Sequence, residues 1–206
     1  MAHDCFGAGQ AVTQEIYSGT NWRTSPEQAN AIFKVFLSVR QLHQMLWYLM
    51  EASTILPAEK IKTNIDLLIA ELERMAQYSP DEILLLNLDS CRARVNPLLK
   101  RTSALVHAAS GGAEANEASD FIGKNFKRAR LDGRDFSMSL LIAANLQGCS
   151  FYGANLLGAD MRDANIVGAD LSESIFLTQG QVNAARGNRS TKLPAALTHP
   201  TAWQSV

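Results

Sequence analysis

The sequence predicts a multidomain protein: an all-α helical bundle in the N-terminal half, followed by a solenoid of short repeats in the C-terminal half. Two observations predict this division. Apolar residues recur at helical spacing from Ile32 to Leu105, whereas from Phe121 to Phe176 a large apolar residue occupies every fifth position. The residues between the two patterns, 110–118, are small and polar and have no periodicity, which is typical of a linker.

The N-terminal half, residues 25–109, contains the start signals of three helices. Ser25-Pro26-Glu27-Gln28 and Ser79-Pro80-Asp81-Glu82 have the form of capping boxes, with a serine at the N-cap and a proline at the first helical position. Pro57 opens the helix between them, and we expect Pro97 to kink the last one. Because short connections favour antiparallel neighbours, the three helices predict an up-down-up bundle.

Each predicted helix has one apolar face, which we expect to be buried. These faces consist of Ile32, Val35, Val39, Leu42, Leu46 and Leu49 in the first helix, Ile61, Ile65, Leu68, Leu72 and Met75 in the second, and Leu84, Leu88, Cys91, Val95, Leu98 and Leu105 in the third. In the N-terminal segment, residues 1–24, the stretch from Ala8 to Tyr17 predicts one further short helix.

The first helix also carries His43, Trp47 and Tyr48, a combination that suggests a ligand site. His43, however, has no second metal-ligating side chain three or four positions further on, since Leu46 and Trp47 stand there. We therefore interpret these residues as a half-buried helix face, with no metal and no cofactor.

In the C-terminal half, twelve consecutive five-residue repeats span residues 119–178 without a slip. The large apolar residues that we expect in the core of the solenoid are Phe121, Phe126, Leu131, Phe136, Leu141, Leu146, Phe151, Leu156, Met161, Ile166, Leu171 and Phe176. A small residue lies two positions before most of them, so that on an extended backbone both side chains point to the same side. A chain that turns a corner after each repeat therefore keeps both residues inside and leaves three polar positions outside.

Four of these repeats, ANLLG, ADMRD, ANIVG and ADLSE at residues 154–173, resemble the consensus A(D/N)LXX of the pentapeptide repeat family. The resemblance implies a right-handed quadrilateral β-helix, in which four repeats complete one coil and residues twenty apart stack. Three such coils form a prism of roughly 15 Å. Asn125, Asn145 and Asn165 stack on its surface as a candidate asparagine ladder.

Residues 179–206 form the predicted C-terminal cap and tail, and they too resemble the closing segment of pentapeptide repeat proteins. Thr178 and Gln181 have the form of a capping box, and we expect Gly187 to end the short helix that follows. At the other end, the helical bundle or the linker is the expected cover. Lys124 and Arg134 occupy positions where a small residue is expected, which predicts an irregular first coil.

Outward positions of the solenoid should be polar, and the apolar residues among them predict a partner-binding surface. These residues are Ile122, Leu140 and Ile142 on one side of the solenoid and Met138 and Leu157 on the neighbouring side. Two interpretations stay open: the helical bundle of the same chain folds back on this surface, or an external protein or a second copy of the chain binds there.

The whole-chain composition excludes several classes of protein. A net charge of −1 gives no reason to expect direct nucleic-acid binding. Three distant cysteines indicate free thiols in a reducing compartment. The sequence has neither a secretory signal nor an uninterrupted apolar run of about 20 residues, which favours a cytoplasmic protein without a membrane span. No nucleophile–base grouping, phosphate loop or metal-ligand spacing is found, so we expect no enzyme, no catalytic residue and no cofactor.

These observations favour a non-enzymatic interaction or scaffold protein that acts on protein partners, with a homodimer as one form of association. The resemblance suggests an alternative, binding to DNA gyrase or topoisomerase through DNA mimicry, with protection against quinolones or toxins. Residues 119–186 contain seven basic and seven acidic side chains, where mimicry needs an acidic surface. A prism of roughly 15 Å also spans less than half of a DNA turn of roughly 34 Å. A secreted effector is a further alternative that the sequence does not separate from the first.

Overall fold

The computed structural model describes residues 5–110 and 120–205, and it divides into two compact units, Cys5–Thr102 and the chain from Ser103 onward. The boundary lies within the last helix of the N-terminal half and not in the linker predicted at 110–118. Of that linker, residues 111–118 lie outside the described residues. The two parts are called the helical unit and the repeat unit below.

The helical unit contains long helices joined by short helical segments. In chain order the elements are α1 (Ala8–Gln10), a π-helical segment (Ala11–Ile16), a 3₁₀ turn (Pro26–Gln28), α2 (Ala29–Thr54), a 3₁₀ segment (Leu56–Ile61), α3 (Lys62–Ala76), α4 (Pro80–Leu84) and α5 (Leu88–Ser110). The last residues of α5, from Ser103, belong to the repeat unit. The third predicted helix is therefore two helices, α4 and α5, and α5 continues through Pro97. Within the described chain, no helix has both the length and the apolar character that a membrane span requires.

Burial confirms the faces predicted for α2 and α3. The six predicted residues of α2 are all buried, and in α3 Ile65, Leu68 and Leu72 are buried while Ile61, just before the helix, and Met75 are half-buried. An apolar residue at every third or fourth position therefore forms one continuous face along each helix.

The face predicted for the third helix is confirmed only in part. Leu84 is 43% exposed, and Leu88, Leu98 and Leu105 are half-buried. Cys91 and Val95 are buried as predicted, and the other buried residues of α4 and α5 are Ile83, Leu99, Thr102 and Val106. From Val95 the next buried residue of α5 is Leu99, four positions on, and not Leu98 three positions on, so the predicted face lies one position away from the buried one in the rest of the helix.

The two predicted capping boxes of the helical unit differ in outcome. At Ser79, the Glu82 carboxylate accepts hydrogen bonds from the backbone N–H (2.9 Å) and the hydroxyl (2.6 Å) of the serine, as predicted. At Ser25 the prediction is wrong, because the serine side chain makes no cap hydrogen bond. The Gln28 N–H donates instead to the Ser25 carbonyl (3.0 Å) and closes a 3₁₀ turn ahead of α2.

The repeat unit winds with a period of twenty residues. Within its described residues there is no continuous strand, and isolated parallel bridges join the coils, for example Asp120 to Leu140 and Leu140 to Asp160. Each repeat contributes a single bridged residue because the chain turns directly afterwards; the Ala144 N–H, for instance, donates back to the Leu141 carbonyl (3.1 Å). We call residues 120–139, 140–159 and 160–178 the first, second and third coils, and the three together the solenoid.

The core positions of the solenoid are closed off from solvent. Eleven of the twelve large apolar residues are at most 2% exposed, and Phe126 in the first coil is half-buried. The small residues two positions earlier, such as Ala154 and Ala164, are also fully buried. Phe121 packs edge-on against Phe126 and Phe136, with ring centroids 5.7 and 5.5 Å apart, so aromatic rings fill the first coil.

The predicted irregularity of the first coil is wrong. The Lys124 N–H donates to the Phe121 carbonyl (3.1 Å), the same turn that Ala144 makes in the second coil. The Lys124 side chain is exposed, and its ammonium lies over the Phe121 ring, 5.4 Å from the centroid. A long cationic side chain is therefore accommodated at this position because it lies across the aromatic core and keeps its charge in water.

The C-terminal cap begins with α6 (Gln179–Ala184). The capping box predicted here is present, since the Gln181 N–H donates to Thr178 Oγ1 (3.3 Å) and the Thr178 N–H donates to Gln181 Oε1 (2.8 Å). Gly187 does not end this helix, which stops at Ala184. Gly187 instead lies against the indole of Trp203, where an added Cβ would come within 2.6 Å of the ring.

Candidate interaction surface

Hydrogen bonds between Asn or Asp side chains and nearby backbone N–H groups fix the backbone conformation at the outward positions of the solenoid. In eight repeats the residue before the core position is Asn or Asp, and its Oδ1 accepts a hydrogen bond from the N–H two residues further on. The predicted asparagine ladder forms only in part. Asn165 Nδ2 donates to Asn145 Oδ1 (3.4 Å), and no side-chain bond joins Asn125 to Asn145 within the described chain. The Asn and Asp residues therefore act mainly within their own repeats.

Ile122, Leu140 and Ile142 lie on adjacent coils on one side of the solenoid. The Phe121 N–H donates to the Leu140 carbonyl (2.8 Å) and the Gly123 N–H donates to the Ile142 carbonyl (2.9 Å), which aligns the two stretches of backbone. Ile122 is 50% exposed, Leu140 is 39% exposed and Ile142 is half-buried.

Met138 and Leu157 lie on the neighbouring side, where the Met138 N–H donates to the Leu157 carbonyl (2.8 Å). Met138 has a φ of 57° and is 73% exposed. Its sulfur lies only 2.6 Å from the place that a Cβ on Gly158 would occupy, so the methionine rests on a glycine that leaves room for it. We call these two residues together with Ile122, Leu140 and Ile142 the apolar patch.

Charged pairs of the third coil follow directly after the apolar patch along the solenoid. Asp160 is bridged to Leu140, and its carboxylate accepts hydrogen bonds from the Arg162 guanidinium, the shortest at 2.6 Å. The hydrogen bonds from Arg162 hold the pKa of Asp160 below its ordinary value, against the opposing effect of burial. Asp163 pairs with Arg186 of the cap (2.8 Å). The arrangement is an apolar centre beside a polar rim, the anatomy of many protein interfaces.

A different side of the solenoid is occupied by the end of α5 from the same compact unit. Asn155 Nδ2 donates to Ser103 Oγ (3.0 Å), and His107 Nδ1 lies 2.7 Å from the Gly133 carbonyl oxygen. A Cβ on Gly153 would come within 3.0 Å of Ser110 and 3.2 Å of Val106, so the glycine permits the close approach of the helix. This contact could not be predicted from the sequence, because two polar residues four apart on a helix, here Ser103 and His107, are a common surface pattern.

The helical unit has an open cleft of about 560 Å³, lined by Gly7, Gln10, Ala11, Glu15, His43, Leu46, Glu73, Ala76 and Gln77. His43 Nδ1 lies 2.9 Å from the Phe6 carbonyl oxygen, and the Phe6 and Trp47 rings are 6.3 Å apart. Tyr48 is buried and His43 and Trp47 are half-buried, in agreement with a packed helix face. In the described part of the chain, no three His, Cys, Asp or Glu side chains lie close enough together to hold a metal ion.

Comparison with known proteins gives matches to both halves of the chain. The sequence profile of the family described as Pentapeptide repeats matches eight copies at residues 139–176. The protein YybG of Bacillus subtilis, described as uncharacterized, is 44% identical over 98% of this chain and 74% of its own length. This relative extends the similarity through the helical unit.

Two solved structures resemble the chain in part. The pentapeptide repeat protein Rfr23 of the cyanobacterium Cyanothece matches over 36% of this chain and 53% of its own, with 28% identity and a TM-score of 0.24. The match therefore spans about half the length of Rfr23. A pentapeptide repeat protein of the Arabidopsis thaliana thylakoid lumen matches over 43% of this chain and 66% of its own, with 23% identity and a TM-score of 0.18.

Proposed function

Because the chain belongs to the pentapeptide repeat family, we propose that it is a non-enzymatic scaffold whose solenoid binds another protein. The observation that carries this proposal is the apolar patch. Three of its residues are 39–73% exposed on a backbone that regular hydrogen bonds between coils hold in place. Exposed apolar side chains grouped in this way, beside a rim of ion pairs, favour association with a complementary surface.

Rigidity of the solenoid supports the same function. The residues beneath the patch, such as Leu141 and Leu156, are fully buried, and each coil is bonded to the next through its backbone. A surface that is already ordered loses less conformational entropy when a partner binds, which makes a modest apolar area more effective.

For the solenoid itself we infer a right-handed quadrilateral β-helix. The support is numerical: bridges join residues twenty apart and the sequence repeat is five residues, so four repeats complete one coil. A crystal structure with a coil of three sides or with the opposite hand would contradict this inference.

A cytoplasmic location is part of the proposal. Cys5, Cys91 and Cys149 are all free thiols, which suits a reducing compartment. Burial raises the pKa of both Cys91 and Cys149, so neither has the low-pKa, accessible character of a reactive cysteine.

The test replaces the centre of the patch with charge in the double variant Leu140→Asp and Ile142→Asp. Proteins cross-linked to the wild-type chain in cells and identified by mass spectrometry provide the candidate partner, which is then purified and titrated by calorimetry. We expect the double variant to bind this partner at least about tenfold more weakly, because two desolvated carboxylates without counter-charges oppose association.

The matched control carries two carboxylates elsewhere on the solenoid, in the double variant Tyr152→Asp and Val167→Asp, and should retain wild-type affinity. Equal affinity of all three proteins would refute the proposed binding surface. Sedimentation velocity of the wild type distinguishes a second copy of the chain as the partner: a dimer that the patch variant dissociates would assign the surface to self-association.

A further inference from the structure

Among the described residues, the first coil has one edge that no other coil adjoins, and its backbone groups there are unpaired. In the second coil, the carbonyls of Leu140, Ile142, Asn145, Gln147 and Ser150 all accept hydrogen bonds from N–H groups of the first coil. Their counterparts twenty residues earlier are the carbonyls of Asp120, Ile122, Asn125, Lys127 and Arg130. Among the described residues, none of these five accepts a backbone hydrogen bond.

The backbone N–H groups of this stretch differ between the first and second coils in the same way as the carbonyls. The N–H groups of Asn145 and Ser150 donate to the carbonyls of Lys124 (2.8 Å) and Ala129 (3.2 Å). The corresponding N–H groups of Asn125 and Arg130 have no acceptor in the described chain. We call the stretch Asp120–Arg130 the open edge. These groups, which have no partner among the described residues, form a row that the backbone of an additional extended chain can match.

The side chains of the open edge give it a positive charge. The first coil contains five cations and three carboxylates, the second coil contains no charged residue, and the third contains one cation and four carboxylates. Lys124, Lys127 and Arg128 are exposed, and none of them forms an ion pair within the described residues. The positive charge of the solenoid is therefore concentrated on the coil whose backbone is open.

Apolar surface lies between these cations. Ile122 is 50% exposed, and Phe126 is the one core residue of the solenoid, among those described, that is only half-buried. Unpaired backbone, cations and apolar side chains are the three components that recognise an extended polypeptide.

We propose that the open edge binds an extended, acidic polypeptide segment, which adds to the first coil as one further strand. The backbone of the segment supplies N–H donors to the carbonyls of the edge, and its carboxylates lie beside Lys124, Lys127 and Arg128. This surface is distinct from the centre of the apolar patch, and the proposal goes beyond the scaffold function: either one can fail while the other holds.

The carbonyls of the edge argue for a polypeptide over other partners. They need hydrogen-bond donors, which a peptide backbone provides and which the phosphates of a nucleic acid lack. Edge-to-edge stacking of two copies of this chain brings two positive first coils together, and like charges in an interface are unfavourable.

The experiment measures fluorescence anisotropy with the full chain and a labelled peptide of alternating Glu and Val, about ten residues long so that it spans the open edge. A second peptide has the same sequence with every second amide N-methylated. We expect the methylated peptide to bind about tenfold more weakly, because main-chain hydrogen bonds supply much of the affinity in strand addition. Both measurements use the wild-type chain, so they do not depend on the folding of a variant.

The variant arm of the experiment reverses two charges at the edge, in Lys127→Glu with Arg128→Glu. We expect about tenfold weaker binding of the unmethylated peptide. The control Lys34→Glu with Arg74→Glu changes the net charge equally through exposed residues of the helical unit and should bind as the wild type does.

Three outcomes overturn the proposal. Absence of peptide binding would mean that the cations only keep the edge from pairing. Equal affinity for the methylated peptide would exclude strand addition. Tighter binding of an oligothymidine of equal length than of the acidic peptide would assign the basic edge to nucleic acid.

Discussion

At the C-terminal end of the solenoid the backbone is bonded to a cap, whereas at the N-terminal end the corresponding groups have no partner in the described chain. The N–H groups of Ile166 and Leu171 donate to the carbonyls of Arg186 (2.8 Å) and Lys192 (2.9 Å), and Gln181 Nε2 donates to the carbonyls of Leu156 and Ala159 (2.8 and 2.9 Å). The same repeat geometry thus ends in two different ways. The C-terminal edge is paired with its own cap, whereas the N-terminal edge carries positive side chains, which oppose pairing with a second copy of the same chain.

The two ends also differ in how completely the core is closed. Phe176 in the third coil is fully buried, and Val182 and Trp203 of the cap are buried with it. Phe126 in the first coil keeps part of its ring exposed. Phe126 should therefore contribute less to stability than a fully buried core residue of the later coils.

The largest expected effect comes from the core of the second coil. Phe151 is fully buried, and we expect Phe151→Ala to lower the free energy of unfolding by about 3–5 kcal/mol, through lost transfer energy and the cavity left behind. Phe126→Ala removes the same atoms from a half-buried site and should cost about 1–2 kcal/mol. Urea unfolding followed by circular dichroism measures both; equal losses would mean that the first coil is as well closed as the second.

The core positions of the solenoid could be predicted because the five-residue period of the sequence does not change from the first repeat to the last. Each repeat of five residues returns the backbone to the same conformation, so a register read at Leu156 is still correct at Phe121 and Phe176. Helices have no such marker. In α4 the buried residue is Ile83 and not Leu84, and in α5 it is Leu99 and not Leu98, and no residue type in the sequence marks either shift.

Contacts between residues that are far apart in the sequence could not be predicted from it. Gly153 and Gly187 both make room for a neighbour, Val106 and Trp203 respectively, but in the sequence they are ordinary turn or helix-end glycines. The apolar patch was found from the rule that outward positions should be polar. The open edge could be identified only from the backbone hydrogen bonds of the structure, because the composition of the first coil does not show which of its groups are paired.

A medium effect is expected in the cap that closes the C-terminal end. The indole of Trp203 lies where a Cβ on Gly187 would stand, and the ring is 5% exposed and in contact with His199 (5.9 Å between centroids). Gly187→Ala should therefore destabilise the protein by about 1–3 kcal/mol through overpacking. Gly9→Ala is the matched control: its Cβ meets only Phe36 at 4.0 Å, and within α1 the change should stabilise by about 0.5–1 kcal/mol. Opposite signs in thermal unfolding are the expected result, and stabilisation by both would refute the packing of Trp203 on Gly187.

The smallest effect concerns a carboxylate that ties the first coil to the second. Asp132 accepts hydrogen bonds from Ser150 Oγ, from the Tyr152 N–H (3.1 Å) and from Arg130 Nε (2.7 Å). Burial raises the pKa of Asp132, but these bonds outweigh it and leave the pKa below its ordinary value. A carboxyl whose pKa is lowered by folding stabilises the protein above its ordinary pKa, and that stabilisation is lost as the pH falls through the folded-state value.

We therefore expect Asp132→Asn to lower the free energy of unfolding by about 1 kcal/mol near neutral pH, because the amide keeps the shape but not the charge. The difference from the wild type should shrink as the pH falls through the lowered folded-state pKa of Asp132, because the wild-type carboxyl then also becomes neutral. Asp163→Asn, at the capped end, removes the ion pair with Arg186, in which the Asp163 side chain is 63% exposed. Because solvent screens such an exposed pair, this change should have little effect on stability at either pH. Urea titrations of the three proteins at neutral and acidic pH measure these differences. A pH-independent loss in Asp132→Asn would show that shape, and not charge, holds the first coil to the second.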